Sequence, residues 1–140
     1  MTTQSPSSLR DRSFRRWPWR AITAAITTFV AVGAYYGSWY LISGPAASEL
    51  QFPAPEFLPG DAWTAGGWAL LVIVALPMTV VAVTSAVGSS SAPQAALVAG
   101  TLLIVWIVVQ VALIGLVFFL QPVMFGFDAL VVALGIWGRR

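Results

Sequence analysis

The chain has 140 residues, 59% of them hydrophobic and 9% charged, and a formal net charge of +2. Soluble domains carry roughly 25% charged residues, so this chain cannot cover a water-facing surface, and its mean hydropathy of +0.85 is that of a polytopic membrane protein. It has no Cys and no His, which excludes disulfides, thiolate or imidazole metal sites, covalent haem attachment and Cys or His catalysis.

All seven basic residues are Arg and they lie at the two ends: Arg10, Arg12, Arg15, Arg16 and Arg20, then Arg139 and Arg140. A nucleic-acid binder presents its basic patch on a folded surface. Cations confined to the ends instead flank a membrane domain, so no nucleic-acid partner and no cofactor is expected.

Residues 1–17 are polar and basic and are expected to form a disordered cytoplasmic tail. The rest, 18–140, reads as one transmembrane domain of four helices. The first span covers about 20–42, uncharged from Ala21 to Ile42 and long enough for a bilayer core. Trp17 and Trp19 at one end and Trp39 and Tyr40 at the other match an aromatic belt. The basic start and apolar run also suggest a cleavable leader, but the run exceeds a typical leader core and more spans follow.

Residues 43–65, "SGPAASELQFPAPEFLPGDAWTA", contain Pro45, Pro53, Pro55 and Pro59, which rule out a continuous helix. Glu49, Glu56 and Asp61 alternate with Leu50, Phe52, Phe57 and Leu58. The expectation is a structured outer loop on the membrane surface, apolar side chains down. A second span follows over about 67–87. Pro77 near its middle cannot donate to the Ile73 carbonyl, which predicts a kink.

"GSSSAPQ", Gly88 to Gln94, reads as a turn. A third span covers about 95–120, long enough to tilt. Gln121-Pro122 reads as a tight turn before a short fourth span, about 123–137. No long internal repeat stands out. Arg clusters mark the cytoplasmic side, so both termini are placed there, with the Pro-rich loop outside, in a bacterial cytoplasmic (inner) membrane.

Small residues four apart let helices approach closely in lipid. Gly33 and Gly37 form a GxxxG; Ala96 and Gly100, and Ala129 and Ala133, repeat the spacing. A dimer seam and packing within one bundle both fit, and the second is favoured.

Asp128 is the unusual residue. Counted from the expected start of the fourth span it lies about 9 Å deep at 1.5 Å per residue. No Arg of the chain can pair with it there, because all are on the other side. Tyr O–H and Trp N–H groups seek partners when buried, so Asp128 is expected to face inwards, towards donors among Tyr35, Tyr36, Trp39 and Tyr40. Gln110 is the other deep polar residue. A buried acid is a functional candidate by default, so Asp128 and Gln110 suggest a proton or solute path; a structural acid satisfied by Tyr or Trp is the favoured alternative.

"GSWYLISGPAASELQFPAPEFLPG", "WIVVQVALIG" and "FFLQPVMFGFDALVVALG" resemble a family of small four-helix integral membrane proteins of unknown function, common in actinobacteria. The resemblance runs from about Gly37 onwards. It rests on Trp106 and Gln110, W-x-x-x-Q, and on Gln121, Pro122, Phe125 and Gly126, Q-P-x-x-F-G. It implies the four-span architecture and brings no activity. The chain departs from the pattern at Ser89, Ser90 and Ser91, where the family often has basic residues, and at Asp128, where an apolar or small residue is expected.

Three functions are weighed. A non-enzymatic accessory or scaffold subunit, packing with lipid, a membrane protein partner or a second copy, is preferred. A small transporter or proton-conducting subunit using Asp128 and Gln110 is the alternative. An enzyme is disfavoured: Glu49 and Glu56 could come together in the loop, but nothing supplies a nucleophile or a metal box, and solvated loop charge is the favoured reading.

Overall fold

A computed structural model describes residues 6–43, 62–114 and 120–140, with side chains described over 17–43, 63–113 and 122–140. Every element in these segments is helical: α1 (Pro6–Ile42), α2 (Ala62–Leu70), a π turn (Leu71–Ala75), α3 (Leu76–Val87), α4 (Ala92–Ile114) and α5 (Leu120–Gly138). Three stretches are long and apolar enough to cross a membrane: Trp17–Ile42, Trp63–Val87 and Ala92–Leu113; Pro122–Gly138 is a shorter apolar helix. The expected Pro-rich loop falls almost entirely on residues 44–61, outside the described segments.

Four boundaries differ from the expectation; one is that α4 begins at Ala92 rather than about 95, so Ala92, Pro93 and Gln94 of the expected turn lie in its first turn. α1 begins at Pro6, so the segment expected to be disordered is helical from that residue. Proline is suited to a helix start, where its missing N–H has no intrahelical partner anyway. The second span begins at Ala62 rather than about 67. Gln121 and Pro122 lie in the first turn of α5 rather than in a turn before it, because the first four N–H groups of a helix need no carbonyl partner.

The predicted kink takes a definite form. Pro77 cannot donate to Ile73, and its ring crowds that carbonyl. The chain responds one turn earlier with a π turn, in which the Leu76 N–H reaches back five residues to the Leu71 carbonyl. α2, the π turn and α3 thus run on as one helix with a register step.

The α3–α4 connection is a closed polar turn. Gly88 adopts φ 74°. Its N–H bonds to the Ser85 carbonyl (3.2 Å), and the Ser89 N–H to the Thr84 carbonyl (2.9 Å), the two bonds of a Schellman cap. Ser89 and Ser91 hydroxyls pair at 2.8 Å, and the Ser91 carbonyl accepts the first bond of α4 from Ala95. Arg20 reaches over from α1. Its Nε donates to the Ser85 carbonyl (3.1 Å) and its Nη2 to that of Ala86 (2.9 Å). The cation gives the Ala86 carbonyl a donor, adds a second donor to the Ser85 carbonyl that already accepts the Gly88 N–H, and meets the negative end of the helix dipole. A Cβ on Gly88 would lie 2.5 Å from the Arg20 guanidinium. Gly88→Val is therefore expected to cost ~2 kcal/mol, from the left-handed backbone penalty and loss of the Arg20 contacts. Thermal unfolding measures it, with Arg20→Gln isolating the second part.

The same end is closed on its other side. Trp19 Nε1 donates to the Leu134 carbonyl at 2.6 Å in a buried contact, and a Cβ on Gly138 would strike the Trp19 ring. Trp19, read from sequence as an interfacial belt residue, is 7% exposed and belongs to the packing, whereas Trp17 is 68% exposed. The Arg20 end of α1, the Gly88–Ser91 turn and the end of α5 thus meet at one pole.

The core is built on stripes. α1 buries Thr23, Thr27, Val30, Ala31, Ala34 and Ser38, a helical period. Its other faces expose Phe29, Val32, Tyr36 and Trp39, and Val72, Val83, Val105 and Leu130 are exposed on the remaining helices. Apolar surface of this extent marks a membrane or protein contact. Glycines set the closest approaches: a Cβ on Gly67 would lie 3.0 Å from the Ser38 carbonyl, on Gly100 3.2 Å from the Val132 N, and on Gly135 3.0 Å from the Leu97 N.

A buried carboxyl as candidate functional site

Asp128 shares the inward stripe of α5 with Val131, Leu134 and Gly135, all buried. Spacing of three to four keeps these on one face. Asp128 itself is 0% exposed. The inward orientation read from sequence is what the helix adopts.

Its depth differs from the expectation. α5 starts at Leu120 and runs 19 residues, so Asp128 lies roughly 12 Å from one end and 15 Å from the other at 1.5 Å per residue. It is central, not shallow. The neighbouring Phe127 ring packs on Phe29 of α1, centroids 5.8 Å apart, which sets this level on the opposite helix. The Gly100 contact with Val132 and the Gly135 contact with Leu97 set it on α4 close to Leu103 and Ile104.

The expected donors do not reach it. Neither carboxyl oxygen has a hydrogen-bond partner. The Tyr35 hydroxyl pairs with Thr79 Oγ1 at 3.1 Å. Tyr36 and Trp39 are 67% and 63% exposed and pack on each other, centroids 6.5 Å apart. Tyr40 is partly buried and interacts elsewhere. The reason is register: with Asp128 level with Phe29, these residues sit roughly 10 Å or more further along α1. Gln110 is partly buried and falls about level with Pro122, roughly 9 Å beyond Asp128. The helices do not bring the two deep polar residues into one layer.

The GxxxG glycines part company as well. A Cβ on Gly37 would touch Leu70 Cδ2 at 3.2 Å, whereas one on Gly33 meets nothing within 4 Å. Gly37 thus packs within the chain and Gly33 faces outwards.

Three polar groups escaped the sequence reading. Thr23 Oγ1, Ser85 Oγ and Trp106 Nε1 are buried without hydrogen-bond partners, like Asp128. A signal was present: Thr23 and Thr27 lie four apart within an apolar run, and Ser85 lies before the turn glycine, inside the helix. An open apolar groove of about 320 Å³ also runs between α3 and α4, past Pro77, Val80, Val98 and Leu102. Among the described residues, no group of three metal-ligating side chains gathers.

A lone carboxyl in this setting can take up or release a proton, or hold a small polar ligand. A bare ion there would carry a cost of several kcal/mol without compensating bonds. No family model matches the sequence, and neither a curated protein nor a solved structure matches the chain.

Proposed function

We propose that this is a four-span, non-enzymatic integral membrane subunit of a bacterial cytoplasmic membrane, which packs with a partner or with lipid. The observation that carries this reading is the apolar coat that the described side chains of Trp17–Ile42, Trp63–Val87, Ala92–Leu113 and Pro122–Gly138 present outwards. Among the described side chains the only charged groups are Arg20, Arg139 and Arg140 at one pole and Asp128 within. Exposed Trp17 and Trp137 mark that pole, and exposed Tyr36, Trp39 and Trp68 the other. The Trp17 to Trp39 rise is roughly 33 Å, matching a bilayer core with aromatic girdles at both faces. α5 then spans as the fourth helix, and the Arg pole is cytoplasmic. Membership in the actinobacterial family is part of the same proposal, supported by Trp106 with Gln110 and by the Gln121-Pro122 motif.

Native mass spectrometry of the protein, extracted gently from its own membrane, tests the subunit reading. A mass that includes a second polypeptide or retained lipid is the expected result. A bare, lipid-free monomer counts against it.

A second reading, a proton-conducting subunit, is favoured by one observation: Asp128 is fully buried with both oxygens unpartnered. In proteoliposomes, Asp128→Asn should then abolish pH-gradient-driven proton flux, and an unchanged flux would refute it.

A further inference from the structure

Helical Ser and Thr hydroxyls usually back-bond to the carbonyl four residues earlier. Thr27, Ser38, Thr79, Thr84 and Thr101 all do so. Thr23 and Ser85 do not, although both are 0% exposed. Their hydroxyls therefore stay available to another ligand.

These groups are ordered along the bundle. Arg20 stands at the pole and binds the Ser85 carbonyl. Thr23 lies about one turn further in and Thr27 about one more, at the level that the Phe29–Phe127 contact assigns to Asp128. Trp106 lies on α4 within about a turn of that level. Its side chain leans towards the start of its helix, which is the Asp128 side. Beyond this layer, away from Arg20, the core is Val30, Ala31, Ala34, Val74 and Ala75. The unpartnered hydroxyls and the carboxyl thus lie between the Arg pole and this layer, interleaved with the buried apolar side chains Met78, Val81, Ala99 and Val131, whereas Ser38, the buried hydroxyl of the far half, is back-bonded to Ala34.

We propose that Ser85, Thr23 and Asp128, opening at Arg20 and closed by Trp106, line a one-sided path by which water, and with it protons, reaches Asp128 from the Arg pole. Buried water needs two to four polar partners and is found where such groups are otherwise unsatisfied. The ligand class is water and the hydrated proton. The proton moves between water and the carboxyl oxygen, and nothing else is consumed. The path rests on the four-span reading and deepens the proton-linked one. Access is from one side only, so conduction through the membrane would need a second half supplied from elsewhere.

The chain contains no Cys, so each single-cysteine variant carries one target. Ser85→Cys, Thr23→Cys and Asp128→Cys, with Val30→Cys and Ala34→Cys as buried controls, would be made in the full chain and reconstituted in proteoliposomes. Silver ion, a soft thiol-seeking probe, is applied to one face at a time. Thiols left unreacted are then counted with a fluorescent maleimide after denaturation. The expected result is reaction at the three path positions at least ~10-fold faster than at the controls, from the Arg pole only, since thiol reactivity follows access to water. Equal rates at all five positions, or faster reaction from the opposite face, would overturn the path.

An unfolded variant reveals itself by fast reaction at the controls. Independently, Thr23→Val in the Asp128→Cys background should slow silver at position 128 several-fold while Thr23→Ser does not; no difference between them overturns the proposal too. Ser90→Cys, in the exposed turn, reports sidedness by itself. Failure of the four-span reading appears there and is not confused with failure of the path.

Discussion

Asp128→Leu is expected to raise the stability of the bundle by ~2 kcal/mol, because a buried polar group without a hydrogen bond costs about that much. Leucine has the same branching as aspartate, and replacing buried charged groups by apolar isosteres is often stabilising. The expected gain follows from both oxygens being unpartnered at 0% exposure. Thermal or denaturant unfolding in detergent measures it. A destabilised variant would mean that the carboxyl is held by polar contacts and that the layer is structural. Asp128→Leu should also abolish any proton-linked activity, so stability would rise as function falls. That trade-off is typical of a residue kept for work rather than for packing.

The largest loss is expected at Gly135. A side chain there meets Leu97 Cγ at 2.9 Å and the Leu97 backbone N at 3.0 Å. Backbone cannot rotate aside as a side-chain tip can, so α4 and α5 must separate. Gly135→Val is expected to cost ~3 kcal/mol, the upper part of the usual range for overpacking. Gly33→Val is the control, since its Cβ would meet nothing within 4 Å. Thermal midpoints of the two variants should differ by several degrees. Equal midpoints would show that the α4–α5 contact is looser than these distances require.

The sequence carries the helices more clearly than their mutual register. Long uncharged runs between polar turns mark the spans, since hydrophobic length is a local property. Pro77 reveals that the second helix must deviate, but whether by a kink or a π turn depends on how the chain re-satisfies the Ile73 carbonyl. Asp128 could be read as inward-facing from its place on an apolar helix. Its partners could not, because they depend on how far α5 slides along α1, which Trp19, Leu134, Phe29 and Phe127 decide together. The same slide moves Gln110 away from Asp128 and leaves Tyr36 and Trp39 outside. Thr23 and Ser85 were overlooked for a different reason. Their hydroxyls ordinarily disappear into their own helix, and only the three-dimensional arrangement distinguishes the two that do not.

The Arg20 contact bears on the order in which the chain is assembled. The Gly88–Ser91 turn carries no cation of its own, so while the second and third spans are being threaded it offers the insertion machinery no positive signal. On the four-span reading proposed above, orientation would then rest on the Arg-rich stretch ahead of the first span, which is made earlier, and on Arg139 and Arg140 at the same pole. With α1 and α3 side by side, Arg20 lends its guanidinium to that turn, and on the same reading this would hold the turn on the side chosen first. A charge that serves that reading first as an address would become afterwards a clasp, one residue linking the direction of insertion to the finished fold.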